Sequence, residues 1–279
     1  MPAPGCSGIR ARNPTPPSVY LEEMRIRLPK LLALALVALL VGCHTADPYG
    51  GLEVGDLYAL AVKEFDAGNY EKAQQAIDRL FVAFPNCERA PEAQLMLAET
   101  YVRREQYITA QAEFMRFIDR YPTNPAASDA ALRRCRAASA QSPSVQRDQK
   151  PTEDAVVQCS NVVSDYPGTA AATEAGAVAK AMTLKLAEKL YSVGDYYYRR
   201  KYYESSITYF QMIEDDYADT PWAPKALLGI MNAYEKIGYQ DLVDETRQKI
   251  LDAYPTSEEA RGLADTGATP AAALGSVVR

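Results

Sequence analysis

The chain has 279 residues, of which 48% are hydrophobic and 24% charged, so it can bury a substantial core. It contains one histidine and carries a formal net charge of −6. A single histidine argues against a histidine-dependent hydrolase and against a His-rich metal site. The sequence also has no GxxxxGK(S/T), HExxH or GxSxG motif, so we expect no catalytic residue, no metal and no cofactor. The negative charge argues against nucleic acid as a partner.

The sequence from Met24 is organised like an export signal. A basic segment precedes eleven apolar residues, Leu31–Val41. At about 1.5 Å per residue this stretch is too short to cross a bilayer as a helix. The Leu-Val-Gly-Cys tetrad that ends at Cys43 resembles a bacterial lipobox. We therefore predict a lipoprotein signal peptide over residues 24–42 and lipidation of Cys43, with an ordinary signal peptide and a chance cysteine as the alternative.

The position after the lipidated cysteine bears on sorting. His44 stands there, where many lipoproteins retained in the inner membrane have aspartate. By resemblance to that rule, we expect a lipid-anchored protein on the periplasmic face of the outer membrane, with residues 43–51 as its linker. Residues 1–23 fit neither a signal nor a domain, and we expect them to be untranslated or disordered, with Met24 as the true start.

The body of the chain repeats a sequence pattern that ends in an aromatic residue, which is usually followed by proline. The intervals are 37, 45, 51 and 37 residues, between Phe84, Tyr121, Tyr166, Tyr217 and Tyr254. In the first two units, small and large packing residues are spaced as in tetratricopeptide (TPR) repeats, which are helical hairpins that stack on one another.

The sequence therefore predicts an all-α, right-handed solenoid of about five TPR-like helical hairpins. Repeats 1–3 are placed at 52–168 and repeats 4–5 at 169–263, followed by a disordered tail, 264–279. The fifth unit has Arg247 in a large apolar position. A charged residue at this position is expected in a terminal repeat that exposes one face to solvent.

Two cysteines fall in the third and most irregular unit. In an antiparallel hairpin, the residue numbers of two facing residues always add up to the same value. Cys135 and Cys159 would face each other if the hairpin were centred at residue 147. This point lies in an insertion, 140–150, between the two expected helices. A disulfide is therefore favoured in an oxidising compartment. Two buried free thiols are the alternative, and Cys87 remains unpaired.

The segment Tyr191–Tyr209 holds seven of the nineteen tyrosines, with Arg199-Arg200-Lys201 among them. One interpretation is packing between helices, with Tyr191, Tyr198 and Tyr202 on a shared helical face. The other is a protein contact, because tyrosine and arginine are enriched at interface hot spots.

Several sequence segments resemble those of the BamD family, the TPR lipoproteins of the β-barrel assembly machinery (BAM). They are Arg147-Asp148-Gln149, Val162-Val163-Ser164-Asp165-Tyr166-Pro167, Tyr191-Ser192-Val193-Gly194-Asp195-Tyr196-Tyr197, Asp216-Tyr217-Ala218-Asp219-Thr220 and Asn232-Ala233-Tyr234. The resemblance covers roughly residues 40–260. It implies an outer membrane protein assembly factor, without enzymatic activity, that promotes folding and insertion of β-barrel proteins.

The resemblance also implies partners and positions. The partners are the POTRA region of BamA, BamC and BamE, and unfolded outer membrane proteins. By position, the BamA contact falls on Tyr197, Arg200, Tyr203 and Tyr209, and the substrate groove on Asp56, Tyr58, Glu99 and Tyr101. The alternatives are a different periplasmic TPR scaffold that coordinates envelope constriction or cell-wall synthesis, and a peptidoglycan enzyme with a solenoid arm.

Overall fold

The computed structural model describes residues 49–267, with side chains described as far as residue 264. The chain separates into two units, Met1–Gly51 and Leu52–Arg279, and all the helices considered below lie in the second. The expectations for residues 1–48 and 268–279, including lipidation of Cys43 and sorting by His44, lie outside the described residues.

The described part of the chain contains eleven α-helices and no β-strand. In chain order they are α1 (Val54–Asp66), α2 (Tyr70–Ala83), α3 (Ala90–Arg103), α4 (Tyr107–Arg120), α5 (Ala127–Ser139), α6 (Lys150–Asp165), α7 (Ala170–Arg199), α8 (Tyr203–Asp216), α9 (Trp222–Ile237), α10 (Gln240–Ala253) and α11 (Glu258–Gly267). The first ten pair consecutively into five hairpins. The prediction of an all-α, TPR-like solenoid is confirmed.

The second hairpin illustrates why these residues form such a unit. Ala98 on α3 and Ala110 on α4 are fully buried, so the two helices can approach closely. Phe114 and Phe117 of α4 fill the layer beside them, and Ala130 of α5 closes the same cluster from the next hairpin. A single hairpin would leave these rings in water, so stacking of neighbours is what makes the fold stable.

Helix α7 explains the longest interval between repeats. It has 30 residues, about twice the length of its neighbours, and is capped by Thr169, whose hydroxyl accepts a hydrogen bond from the N–H of Ala172. Ala175 in its first half is buried in the core of the third hairpin. Tyr191 in its second half packs against the core of the fourth and fifth hairpins. One helix is thus shared by two hydrophobic cores.

The insertion in the third hairpin is an ordered loop, residues 140–149. The Gln149 amide donates to the backbone carbonyls of Ser144 and Arg147, at 2.9 and 3.1 Å. The Thr152 hydroxyl donates a hydrogen bond to the side-chain Oε1 of Gln149, at 2.8 Å, and shares another with the Ser142 hydroxyl, at 2.7 Å. The loop is therefore held by its own polar side chains and by Thr152 of α6, which begins at Lys150, within the expected insertion 140–150.

In this hairpin the sulfur atoms of Cys135 on α5 and Cys159 on α6 are joined at 2.00 Å, with the Cα atoms 4.8 Å apart. Both residues are fully buried in the core that Ala175 completes. The third described cysteine, Cys87, is unpaired and partly exposed. The bridge ties together two helices whose connecting loop is longer than a usual TPR turn.

The C-terminal end of the solenoid differs from the expected cap. Helix α11 follows the fifth hairpin, and its Ala260 and Leu263 are buried in one cluster with Val243 and Ile250 of α10. Residues 264–267 therefore continue a helix and do not begin the tail. A short amphipathic helix thus packs on one side of α10, while Arg247 stays partly exposed. The interpretation of Arg247 as part of a terminal cap stays a prediction.

Candidate protein-binding surfaces

The expected substrate-groove residues of the first helix lie in different environments. Asp56 is exposed. Tyr58 is half-buried, with the Arg89 guanidinium 5.4 Å from its ring centroid. Partial burial raises the pKa of the Tyr58 hydroxyl, and the neighbouring Glu92 carboxylate adds to this effect. Tyr58 thus packs against the start of α3, where Arg89 precedes the first helical residue.

Glu99 belongs to a row of ion pairs that runs along the first helices of successive hairpins. Its carboxylate lies 3.3 Å from Arg103 and 3.5 Å from Arg133 of α5. Arg133 also contacts Asp129, at 2.8 Å. Further along, Arg136 of α5 pairs with Glu174 of α7. In stacked repeats the first helices share one continuous surface, so these charges form what we call the charged first-helix surface (Glu99, Asp129, Arg133, Arg136, Glu174).

Tyr101 does not lie on this surface with Glu99. Two residues along a helix are about 200° apart, so the two side chains point to opposite sides of α3. The Tyr101 hydroxyl accepts a hydrogen bond from Gln74 of α2, at 3.0 Å, and Arg104 donates to the same Gln74 side chain, at 2.5 Å. Partial burial raises the pKa of Tyr101, with a further contribution from the Asp78 carboxylate. This residue joins the first two hairpins.

A buried charged group in the second hairpin was missed from the sequence. Glu113 of α4 is only 7% exposed and accepts a hydrogen bond from the buried Gln94 amide of α3, at 2.6 Å, as well as an ion pair from Arg116. An unpaired carboxylate at this depth would be strongly unfavourable, so these donors are needed. The sequence signal available was weak, since a lone Glu within an amphipathic helix usually faces water.

The expected BamA-side residues are brought together with one exception. Tyr197 of α7 stacks on Tyr209 of α8, with ring centroids 5.4 Å apart and planes within 8°. The Arg200 guanidinium lies 4.8 Å from the ring of Tyr196. Tyr203 instead contacts Tyr198, at 5.5 Å, and packs against the core. Tyr203 is thus on the core side, away from the other three.

Two exposed tyrosines complete this region and were not among the expected contact residues. Tyr196 and Tyr202 are 47% and 61% exposed, and both contact the ring of Tyr197. The expectation that Tyr202 shares a packed face with Tyr191 and Tyr198 was wrong. Helix α7 ends at Arg199, and a turn with Lys201 at φ 64° rotates Tyr202 outward. We call Tyr196, Tyr197, Arg200, Tyr202 and Tyr209 the tyrosine patch.

Two further properties concern the described residues as a whole. Across residues 49–267, no group of three or more His, Cys, Asp or Glu side chains could hold a metal ion. None of the helices in this part of the chain is both long and apolar enough to cross a membrane.

Solved TPR structures align with the chain at low scores. The TPR2AB domain of yeast Sti1, in a structure titled as a complex with pHSP90, has a TM-score of 0.40 and 10% identity, covering 76% of this chain and 82% of that one. TTC0263, a TPR protein of Thermus thermophilus, has a TM-score of 0.33 and 16% identity, covering 76% and 98%. The repeat architecture of this chain is defined by its own helices.

Sequence comparison is more informative. A family model described as an outer membrane lipoprotein, YfiO, matches residues 52–250. A Caulobacter vibrioides protein named outer membrane protein assembly factor BamD is 29% identical over 66% of this chain, which spans 61% of that relative's length. The proteins of the same name from Rickettsia prowazekii and Vibrio cholerae are 25% and 24% identical, over 84% and 78% of this chain and 94% and 95% of their own lengths. The chain therefore belongs to the YfiO family of outer membrane lipoproteins, whose relatives are named BamD.

Proposed function

We propose that this chain is an outer membrane protein assembly factor without catalytic activity, a lipid-anchored periplasmic scaffold of the BAM complex. The observation that carries the proposal is the family match across residues 52–250, which includes all of the first four hairpins and most of the fifth. In this proposal the acyl chains on Cys43 hold the solenoid at the outer membrane, with His44 as the sorting residue.

The scaffold acts by holding a client beside the insertion machinery. Tethering two bound chains to one surface raises their effective concentration without an energy source. The chemistry of folding and insertion then belongs to the partner. This scaffold role needs two separate binding surfaces, and the charged first-helix surface and the tyrosine patch supply candidates for both.

The tyrosine patch is proposed to bind the POTRA region of BamA, with BamC and BamE as further partners of the complex. Stacking of Tyr197 on Tyr209 fixes these two rings before any partner arrives. Preordered rings lose little side-chain entropy on binding, which favours affinity. Arg200, held over Tyr196, adds a cation that suits an acidic partner group.

The charged first-helix surface is proposed to hold unfolded outer membrane proteins. Glu99 and Arg133 offer both signs of charge within 3.5 Å, and Tyr58 lies on the first helix of the preceding repeat, so charged and aromatic groups occur along successive first helices. Partly exposed ion pairs of this type contribute little stability, so they can be exchanged for contacts with a client at small cost. Tyr101, turned toward α2, takes no part in this surface in our proposal.

Depletion of the protein tests the overall role. We expect several unrelated outer membrane β-barrel proteins to fall together, as measured by quantitative proteomics of the outer membrane. Loss of a single envelope product with normal barrel levels would contradict the proposal. Enrichment of division or cell-wall synthesis proteins on purification from detergent-solubilised membranes would instead support a different TPR scaffold.

The patch is tested separately by the double variant Tyr197→Ala and Tyr209→Ala. We expect co-purification of the large β-barrel subunit to fall about tenfold or more, because hot-spot rings at the centre of an interface dominate binding. Tyr239→Ala is the matched control, because Tyr239 is 54% exposed on the fifth hairpin but lies outside the patch as defined. Equal loss in both variants would show that the patch has no special role.

A further inference from the structure

The turns inside four of the five hairpins share one backbone conformation. Each turn has one residue in the left-handed region, namely Gly68 at φ 76°, Glu105 at φ 58°, Lys201 at φ 64° and Gly238 at φ 83°. The N–H of this residue donates to the carbonyl three positions earlier, and the next N–H donates to the carbonyl five positions earlier. This pattern is the Schellman turn, whose left-handed position favours glycine because a Cβ atom is strained there.

Two of these turns therefore carry a residue that the backbone does not favour. Glu105 and Lys201 are both exposed, and neither side chain forms an ion pair or hydrogen bond with the described residues. No contact within the described part of the fold thus offsets the strain of a left-handed backbone at these positions. Glycine at either position should make the folded protein more stable.

Lys201 differs from Glu105 in its surroundings, because it lies between Arg200 and Tyr202 of the tyrosine patch. It is the last of three consecutive cations in the sequence. Arg199 is neutralised by Asp195, at 2.8 Å, and Arg200 is held over a ring of the patch. Lys201 has no such neighbour, so the turn between α7 and α8 presents an uncompensated positive charge beside the patch, on a chain whose net charge is −6.

A charge at the edge of an interface acts before the two surfaces touch. It attracts an opposite charge over about 8 Å at physiological salt, and it therefore raises the rate of association. It also lowers the rate for partners of like charge, which gives the surface a preference for one sign. The rate of dissociation depends mainly on the groups buried at the centre, which here are the stacked rings of Tyr197 and Tyr209.

We propose that Lys201 is a specificity-determining residue of the tyrosine patch, whose ammonium group attracts a carboxylate of the partner that binds there. The inference rests on the proposed function, in which that partner is the POTRA region of BamA. It adds the sign of the charge on the facing surface of the partner and the step, association, that this charge accelerates. Contact with the partner accounts for a lysine where Gly68 and Gly238 stand in the equivalent turns.

The experiment uses the full mature chain in detergent micelles and immobilised full-length BamA from the same organism. Association and dissociation rates are measured at about 50 mM and about 500 mM salt. We expect Lys201→Gly to associate about three- to tenfold more slowly at low salt, with the difference below about twofold at high salt and dissociation nearly unchanged. Its melting temperature should rise by about 2–4 °C, because the strain at this turn is removed.

Three further variants separate the charge from the backbone. Lys201→Arg keeps the charge and should associate like the parent. Lys201→Glu reverses it and should associate more slowly than Lys201→Gly. Glu105→Gly is the matched control, because it removes the same strain in the second hairpin, away from the patch. We expect it to raise the melting temperature by a similar amount and to leave the association rate unchanged.

The inference is overturned if Lys201→Gly associates at the parental rate, if Lys201→Glu is no slower than Lys201→Gly, or if Glu105→Gly slows association equally. A melting temperature that does not rise in either glycine variant would overturn the argument from strain. If the Lys201 variants associate normally while the Tyr197→Ala and Tyr209→Ala double variant loses the partner, this inference fails and the proposed function stands. If the parent itself does not bind BamA, both fail.

Discussion

The first two hairpins and the last two differ in the contacts that accompany their apolar cores. Between α2 and α3, where Leu80 and Ala93 are fully buried, Gln74 also forms hydrogen bonds with both Tyr101 and Arg104. In the fourth and fifth hairpins the contact is made by rings, with Tyr191 5.3 Å from Phe210 and 5.1 Å from Trp222. The strength of polar contacts depends on pH and salt, whereas the strength of ring contacts depends on how closely the side chains fill the core.

This difference matches the two roles proposed. A surface that holds many unfolded clients benefits from side chains that can exchange partners, as exposed ion pairs can. A surface that holds one permanent partner benefits from rigid support, which the packed rings below the tyrosine patch provide. The third hairpin joins the two regions through α7, which belongs to the cores on both sides.

The largest expected effect lies in this joining hairpin. Replacing Cys135 and Cys159 together by alanine should lower the free energy of unfolding by about 3 kcal/mol, because the unfolded chain is then no longer closed into a ring. Chemical denaturation measures this, with Cys87→Ser as the control, since that thiol is unpaired. The loss of stability should be confined to the third hairpin, and the spectra of the first two and the last two hairpins should stay largely native.

The presence of the bridge itself is tested by counting thiols in the mature protein under denaturing, non-reducing conditions. With Cys43 lipidated, one reactive thiol, Cys87, is expected. A count of three would mean that Cys135 and Cys159 are buried free thiols and that no covalent bond links the two helices of the third hairpin.

The next effect tests the volume dependence of the C-terminal region. A methyl group added at Gly229 would lie 2.5 Å from the ring of Phe210, and one at Gly194 would lie 2.6 Å from the same ring on its other side. Gly229→Ala should therefore lower the free energy of unfolding by about 1–3 kcal/mol, as overpacked cores generally do. Gly55→Ala on α1 is the control, since nothing lies within 4 Å of its added methyl group. Equal thermal stability of the two variants would argue against a rigid ring core.

The ion pairs of the N-terminal region should contribute much less. A double-mutant cycle of Glu99→Gln and Arg133→Met should yield a coupling of about 0.5 kcal/mol at low salt, since both groups are partly exposed. We expect the coupling to vanish near 1 M salt, where charges are screened within about 3 Å. A coupling above about 2 kcal/mol that persists in salt would make this region as rigid as the C-terminal one.

The repeat hairpins were predictable because their signal is local and periodic. Small residues such as Ala98 and Ala110 recur at fixed positions, and the index sum of Cys135 and Cys159 follows from hairpin geometry alone. The direction of Tyr202 was not predictable, because it depends on a positive φ at Lys201, one residue before it. Helix α11 was missed because its few apolar residues become a core only against α10.

The four expected groove residues do not share one surface, for a reason that the sequence did contain. Asp56 and Tyr58, like Glu99 and Tyr101, are two positions apart on a helix, and such residues cannot share a face. The row of ion pairs was not visible, because Glu99 and Arg133 are distant in sequence and meet only through stacking of the second and third hairpins. Surface chemistry between repeats therefore requires the structure, whereas packing within a repeat does not.

The smallest effect concerns pH. Partial desolvation raises the pKa of Asp78 above its ordinary value of 3.8, and the nearby Glu113 adds to this, while a hydrogen bond from Gln74 opposes it. A carboxyl whose pKa is raised in the folded state contributes stability that is present below pH 3.8 and lost as pH rises through the folded-state pKa. Asp78→Asn should therefore be more stable than the parent at pH 7, with the difference vanishing below pH 4.

The magnitude should be only a few tenths of a kcal/mol, because Asp78 is exposed at the surface. Urea denaturation of both proteins between pH 3 and pH 7 measures it, and Asp252→Asn on α10 is the control, since Asp252 also accepts a hydrogen bond from an exposed glutamine, Gln248. If both variants show the same pH profile, the polar contact between the first two hairpins has no special electrostatic character. The contrast with the C-terminal region would then be one of packing alone.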